Sequence, residues 1–260
     1  MTRGSGYEVE IKLPVSDLGG VRRRLRTLGA RPGPRLYEAN VLFDTPEKSL
    51  RRRGMLLRLR VERAAGRGAV AGKPANLRAA LNGVLFGAGR EKNRTNRESA
   101  AKAASTGTGE TGKLHRTALV TFKGPAPGRP QRGARKENTR TSRQPAYKVR
   151  REWEFRIADS AAFRQVLAAL GFEPSFYYER HRTMYRLRQF PRLVVDLDET
   201  PIGVFLELEG PRRAIDRVRK ALGYRRGDAI LASYGALYLA HCRKRGIRPR
   251  DMLFGKPARD

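Results

Sequence analysis

The run Tyr7-Glu8-Val9-Glu10-Ile11-Lys12-Leu13 alternates charged and apolar side chains without a break. In a strand, period two puts Glu8, Glu10 and Lys12 on one face and Val9, Ile11 and Leu13 on the other. Taken alone, such a strand is the wet side of an ordinary sheet. The same pairing recurs, however, at Arg58 and Arg60, at Arg150, Glu152 and Glu154, at Arg180 and Arg182, at Asp196 and Asp198, and at Glu207 and Glu209. The opposite faces carry Leu57, Leu59 and Val61, Trp153 and Phe155, and Leu206 and Leu208, all of which need a covering layer. Helices rich in leucine, valine and alanine can supply that layer from outside, so the charged faces converge inward. The expected fold class is α+β: a closed antiparallel β-barrel, or tunnel, of about eight strands with helices packed outside.

The intervening segments agree with this order. Ser16 or Asp17 caps a helix with Leu18, Val21, Leu25 and Leu28 at helical spacing, closed by Gly29. Leu36 to Phe43 reads as a strand, and Asp44-Thr45-Pro46 predicts a short helix from Pro46 to Arg53, ending at Gly54. Strands follow at Met55 to Val61, Leu119 to Lys123, Tyr147 to Ile157, Pro174 to Leu187, Leu193 to Asp198 and Val204 to Glu209. Helices are expected at Ser160 to Leu170, Pro211 to Leu222 and Ala229 to Lys244. Two low-complexity stretches, 64–116 and 126–146, are expected to be disordered insertions. One domain therefore spans 6–246, with 247–260 as a tail.

Composition narrows the function. The single Cys242 excludes an internal disulfide and a thiol-built zinc cluster. No stretch approaches the roughly 18 consecutive apolar residues of a membrane span, and Met1 to Gly6 lacks the apolar core of a signal peptide. A cytoplasmic protein with no membrane span is expected. The net charge of +31 points to an anionic ligand, although arginine is spread along the whole chain, as a GC-rich coding bias alone would spread it. The basic insertions could recruit nucleic acid; a solvated stretch is the favoured reading. Nothing in the sequence reports oligomeric state.

A dry barrel lined by carboxylates and guanidinium groups is costly, because buried charges must be paired or coordinate a metal. A water-filled tunnel avoids that cost. Clustered carboxylates suit Mg²⁺ or Mn²⁺, and Arg and Lys clamp phosphate oxygens. Together they form the lining that a metal-bound polyphosphate requires.

The Glu-x-Glu-x-Lys run at Glu8-Val9-Glu10-Ile11-Lys12 resembles the signature of the CYTH, or triphosphate tunnel metalloenzyme, superfamily. Later blocks follow in that superfamily's order: Phe43-Asp44-Thr45-Pro46, Gly54 with Leu57 to Arg60, Thr121 to Pro125, Arg150 to Glu154, Arg180 to Tyr185, Asp198 to Phe205, and Glu207 to Gly210. The resemblance implies Glu8, Glu10 and Lys12 as catalytic residues. It implies Lys12, Arg58, Arg60, Lys123, Arg150, Arg180 and Arg182 as the triphosphate clamp. Glu8, Glu10, Asp198, Glu207 and Glu209 match metal-binding carboxylates, with Glu152 and Glu154 as further acidic lining that positions metal or water. Asp196 shares their parity with a weaker match. His181 faces outward, and Tyr178 and Tyr234 read first as packing residues.

The resemblance implies a divalent-metal enzyme acting on ATP, thiamine triphosphate or tripolyphosphate. Two reactions stay open. Hydrolysis is the expected main outcome, since no sequence feature holds an adenine so that its ribose 3′-hydroxyl lies in line with the α-phosphate. Members described as class IV adenylate cyclases often carry a His-Phe pair just before Glu-x-Glu-x-Lys, where this chain has Thr2 to Gly6. The alternative is a class IV adenylate cyclase releasing cyclic AMP and pyrophosphate. A basic module that binds polyphosphate or RNA without reaction is the distant third.

Overall fold

The computed structural model describes residues 3–64, 118–127 and 146–255. In chain order these form β1 (Arg3–Val15), α1 (Leu18–Thr27), β2 (Arg31–Asp44), α2 (Ser49–Arg52), β3 (Leu56–Ala64), β4 (Ala118–Lys123) and β5 (Lys148–Ile157). The second half adds α3 (Ser160–Ala169), β6 (Glu173–Arg186), β7 (Val194–Thr200), β8 (Gly203–Glu209), α4 (Arg212–Ala221), a 3₁₀ turn (Arg226–Asp228) and α5 (Tyr234–Arg245). The eight strands close into one barrel in the order β1-β5-β4-β3-β2-β6-β7-β8, every pair antiparallel. The expected fold class is therefore borne out. The expected disorder of 65–116 and 128–145 lies outside the described residues.

The main core lies outside the barrel wall, where the alternation requires it. Ile11 and Leu13 of β1, Val195 and Leu197 of β7, and Leu206 and Leu208 of β8 are buried against Val21 and Leu25 of α1 and Ile215, Val218 and Leu222 of α4. Fully burying one such side chain contributes about 1.5–3 kcal/mol, so this outer layer fixes the parity of β1, β7 and β8. A one-residue slip would exchange Glu10 with Ile11 and forfeit it. On the far side Leu59 is buried, whereas Phe155 is left 39 % exposed, so the cover expected there is incomplete.

Two helices differ from their expected starts. Asp44 is indeed the cap: its carboxylate accepts from the backbone N–H groups of Thr45, Leu50 and Arg51 at 2.8–3.0 Å. A turn comes first, however, with Lys48 N–H donating to Thr45 C=O and Lys48 left-handed at φ 58°. The helix is thereby delayed from Pro46 to Ser49. The last helix starts at Tyr234, capped by the Ser233 hydroxyl, rather than at Ala229. Residues before it are extended, because Ile230 exchanges two backbone hydrogen bonds with Lys12.

Beyond α5, Met252 bridges to Tyr178 and is buried, so 247–255 runs against β6. At the end of β8, Gly210 sits at φ +150°, and a Cβ there would lie 2.7 Å from the Arg192 carbonyl oxygen. Only glycine fits where β8 leaves the wall.

Candidate active site

A cavity of about 540 Å³ occupies the barrel. Among the described residues nine basic side chains line it: Lys12, Arg58, Arg60, Lys123, Lys148, Arg150, Arg156, Arg180 and Arg182. Nine acidic ones face them: Glu8, Glu10, Glu38, Glu62, Glu152, Glu154, Asp196, Glu207 and Glu209. The lining is thus balanced in formal charge although the chain carries +31. Every residue in the expected clamp, catalytic and metal sets lines this cavity except Asp198. That carboxylate shares the inward parity but is 0 % exposed, covered by Arg180, Arg182 and the Tyr234 hydroxyl, which donates at 2.7 Å.

The ions are interlocked. Lys123 reaches Glu8 at 2.6 Å and Glu152 at 2.9 Å, Lys12 reaches Glu207 at 2.7 Å, and Lys148 pairs with Glu10. Arg60 donates to Glu38 at 3.1 Å and to Glu154 at 3.3 Å. Arg182 joins Asp196 at 2.7 Å, Asp198 at 2.6 Å and Glu207. Arg58 donates to Thr121 Oγ1 at 2.9 Å and to the Tyr178 hydroxyl at 3.2 Å. The Nε of Arg150 is buried without a partner among the described residues.

Sequence reasoning missed Glu38, Glu62, Lys148 and Arg156, and ranked Tyr178 and Tyr234 as packing. Glu38 is the most consequential omission. It is 1 % exposed and accepts from Arg180 Nε at 2.5 Å as well as from Arg60, so one carboxylate ties β2 to clamp residues on β3 and β6. Its signal was the shared parity with Asn40 and Leu42, but one acid in an otherwise apolar strand gave no pair to notice. Tyr234 also performs a second task beside packing: its ring takes the Lys12 ammonium at 4.3 Å, so α5 closes one end of the barrel.

Burial opposes the charge of Glu38, yet the Arg180, Arg60 and Arg182 guanidiniums outweigh it and hold the carboxyl well below its usual range. Glu207 is likewise held far down by Lys12, Arg182 and Arg180 against burial. Lys123 is desolvated, but Glu8, Glu10 and Glu152 raise it above the ordinary lysine value. Asp196 behaves oppositely. Burial, reinforced by Asp198 and Glu207, pushes it up to about 6 in spite of Arg182.

For a divalent ion, the chemistry of the donors fits and their present pairing does not complete a site. Glu10 and Glu209 are register partners across β1 and β8, with Glu8 two residues along the same face, and carboxylate oxygens suit Mg²⁺ or Mn²⁺. Among the described residues no three acidic groups converge on one point, since Glu8 and Glu10 each hold a lysine.

No protein-family model matches the chain, and no curated protein matches it in sequence. Solved structures do match. A protein from Pyrococcus horikoshii OT3 shares 17 % identity over 90 % of this chain and 99 % of its own, with TM-score 0.57. A candidate adenylate cyclase from Vibrio parahaemolyticus shares 15 % over 89 % and 97 %, with TM-score 0.52. A second Pyrococcus horikoshii protein shares 17 % over 87 % and 96 %, with TM-score 0.51. At these identities the likeness is one of fold alone: a barrel like the closed eight-stranded antiparallel one that the strand alternation implied.

Proposed function

We propose that this closed eight-stranded barrel, whose motifs resemble those of the triphosphate tunnel superfamily, is an enzyme that binds a triphosphate compound inside it together with Mg²⁺ or Mn²⁺ and hydrolyses it. The observation that carries this reading is the convergence of Lys12, Arg58, Arg60, Lys123, Arg150, Arg180 and Arg182 on one cavity whose wall also presents Glu8, Glu10, Glu207 and Glu209. The cations bind and orient the phosphate chain, bidentately where a guanidinium meets two oxygens.

The balance of nine bases against nine acids gives the metal its reason. A polyanion entering a balanced cavity must take cations from carboxylates that already hold them, and each freed buried carboxylate then needs a new counter-charge. A divalent cation held by Glu8, Glu10 and Glu209 would supply that charge and polarise a phosphoryl oxygen. Glu152 and Glu207 lie next to this set through Lys123 and Lys12. Asp198, by contrast, acts through Arg180 and Arg182 in this arrangement, positioning the clamp.

Water as the attacking group needs no device beyond phosphate positioning. The likeness to a candidate adenylate cyclase motivates the second reading, in which ATP gives cyclic AMP and pyrophosphate. A reducing, cytoplasmic setting fits the lone buried thiol of Cys242, and no described helix is long and apolar enough to cross a membrane.

Incubating the pure protein with ATP, thiamine triphosphate and tripolyphosphate, plus Mg²⁺ or Mn²⁺, tests the assignment. Inorganic phosphate as the main product supports hydrolysis. Cyclic AMP and pyrophosphate in equal amounts, with tripolyphosphate surviving, replaces it with cyclisation.

A further inference from the structure

Tyr178 is a buried phenol at the closed end of a cavity walled largely by ions. Its ring is 6 % exposed and fixed on several sides: Phe176 stacks at 5.8 Å, Tyr234 lies at 6.3 Å, and Met252 bridges to its backbone. Tyr178, Phe205, Tyr234 and Met252 form one cluster, and Tyr234 and Gly235 of α5 line the cavity beside it. The opposite end is the mouth, where the lining residues Tyr7 and Met184 are exposed.

The hydroxyl of Tyr178 accepts from Arg58 Nη1 at 3.2 Å. A guanidinium only donates, so this bond uses an oxygen lone pair and leaves the phenolic proton free to be given away. No side chain among the described residues accepts that proton. Burial raises the pKa of the phenol, but Arg58 and Arg180 outweigh burial and lower it, which makes the O–H a better donor than an ordinary tyrosine.

We propose that Tyr178 is a substrate-binding residue that donates its hydroxyl proton in a hydrogen bond to the terminal phosphate of a triphosphate chain, so that the closed end of the tunnel reads the third phosphate. The proposal rests on the triphosphate reading of the tunnel. A chain entering from the mouth arrives at α5 with its terminal phosphate first, and a diphosphate seated among the clamp residues nearer the mouth does not reach the phenol. Tyr178 also suits this place chemically. Arg58 and Arg180 already concentrate positive charge there, and a neutral donor adds recognition of an acceptor oxygen without adding like-charge repulsion to those arginines.

Calorimetric titration of tripolyphosphate and of pyrophosphate, each with Mn²⁺, into wild type, Tyr178→Phe and Tyr178→His tests this, with thermal melting to check that both variants fold. Tyr178→Phe should weaken tripolyphosphate about tenfold, as loss of one hydrogen bond to a charged group does, and leave pyrophosphate within about twofold. Tyr178→His, which keeps a ring N–H donor, should bind tripolyphosphate more tightly than Tyr178→Phe. Equal weakening of both ligands would make Tyr178 a brace for Arg58 and overturn the proposal, as would two variants that bind tripolyphosphate like wild type. Failure of wild type to bind either ligand would instead overturn the triphosphate reading, and this proposal with it.

Discussion

Arg180 on β6 and Arg23 on α1 are the same side chain in opposite circumstances. Arg180 is 2 % exposed, held by Glu38 at 2.5 Å and Asp198 at 2.9 Å, and cannot lose either partner without stranding a buried charge. The Arg23 side chain is 67 % exposed and meets Asp17 only at 3.9 Å. Such a pair contributes at most about 1 kcal/mol. The contrast extends to both populations. Among the described residues tunnel bases are matched by tunnel acids, whereas Arg23, Arg26, Arg213 and Arg217 on the outer faces of α1 and α4 are exposed. Exposed arginines of this kind add to net charge without forming a site, whereas strand parity selects the arginines of the inner wall.

The largest expected effect lies on the inner wall. Glu10→Gln keeps side-chain volume and removes one hard anionic ligand, so turnover should fall roughly 100-fold or more, the range for deleting one preorganised electrostatic partner. Melting temperature should stay close to wild type. A variant that turns over normally at limiting metal would remove Glu10 from the site.

Next comes stability. Arg180→Met leaves Glu38 short of its main cation and takes one of two guanidinium partners from Asp198, and breaking a buried pair costs about 3–5 kcal/mol. Urea unfolding measures it. A loss below about 1 kcal/mol would place Arg180 with the surface arginines instead.

Glu38 sharpens the same contrast through pH. Its folded-state pKa lies below the ordinary 4.5, so its contribution is fully present above that value and is lost as pH falls toward the folded-state pKa. Wild-type unfolding free energy should therefore decline on acidification below about pH 4.5, and Glu38→Gln should show a shallower decline. Identical slopes would mean that the arginines around Glu38 do not set its titration.

The smallest effect is expected outside. Arg23→Ala and Arg213→Ala should change stability by no more than about 0.5 kcal/mol and leave activity unaltered. A large loss of activity would move function to the helical surface.

Much of the barrel was legible because its wall obeys one rule. The strands under the outer helices must present an apolar face to them, so Leu206 and Leu208 fix Glu207 and Glu209 without any knowledge of neighbours. Properties that depend on neighbours were not legible. Glu38 looks like an isolated acid until β3 and β6 bring Arg60 and Arg180 to it. Tyr178 and Tyr234 look like core until α5 is seen to cross the barrel end, and the start of α5 was itself hidden by the pairing of Ile230 with Lys12, a contact spanning most of the chain. Asp198 has the parity of a ligand, but its cover by Arg180, Arg182 and Tyr234 comes from β6 and α5, distant in sequence.

The most direct test of the inner-wall account is a calorimetric titration of tripolyphosphate with Mn²⁺ into wild type, Glu10→Gln and the double variant Arg23→Ala/Arg213→Ala. Binding of one ligand per chain, lost in Glu10→Gln and unchanged in the surface variant, is the predicted result. Binding that survives Glu10→Gln and weakens in the surface variant would contradict it and make the protein an external polyanion binder.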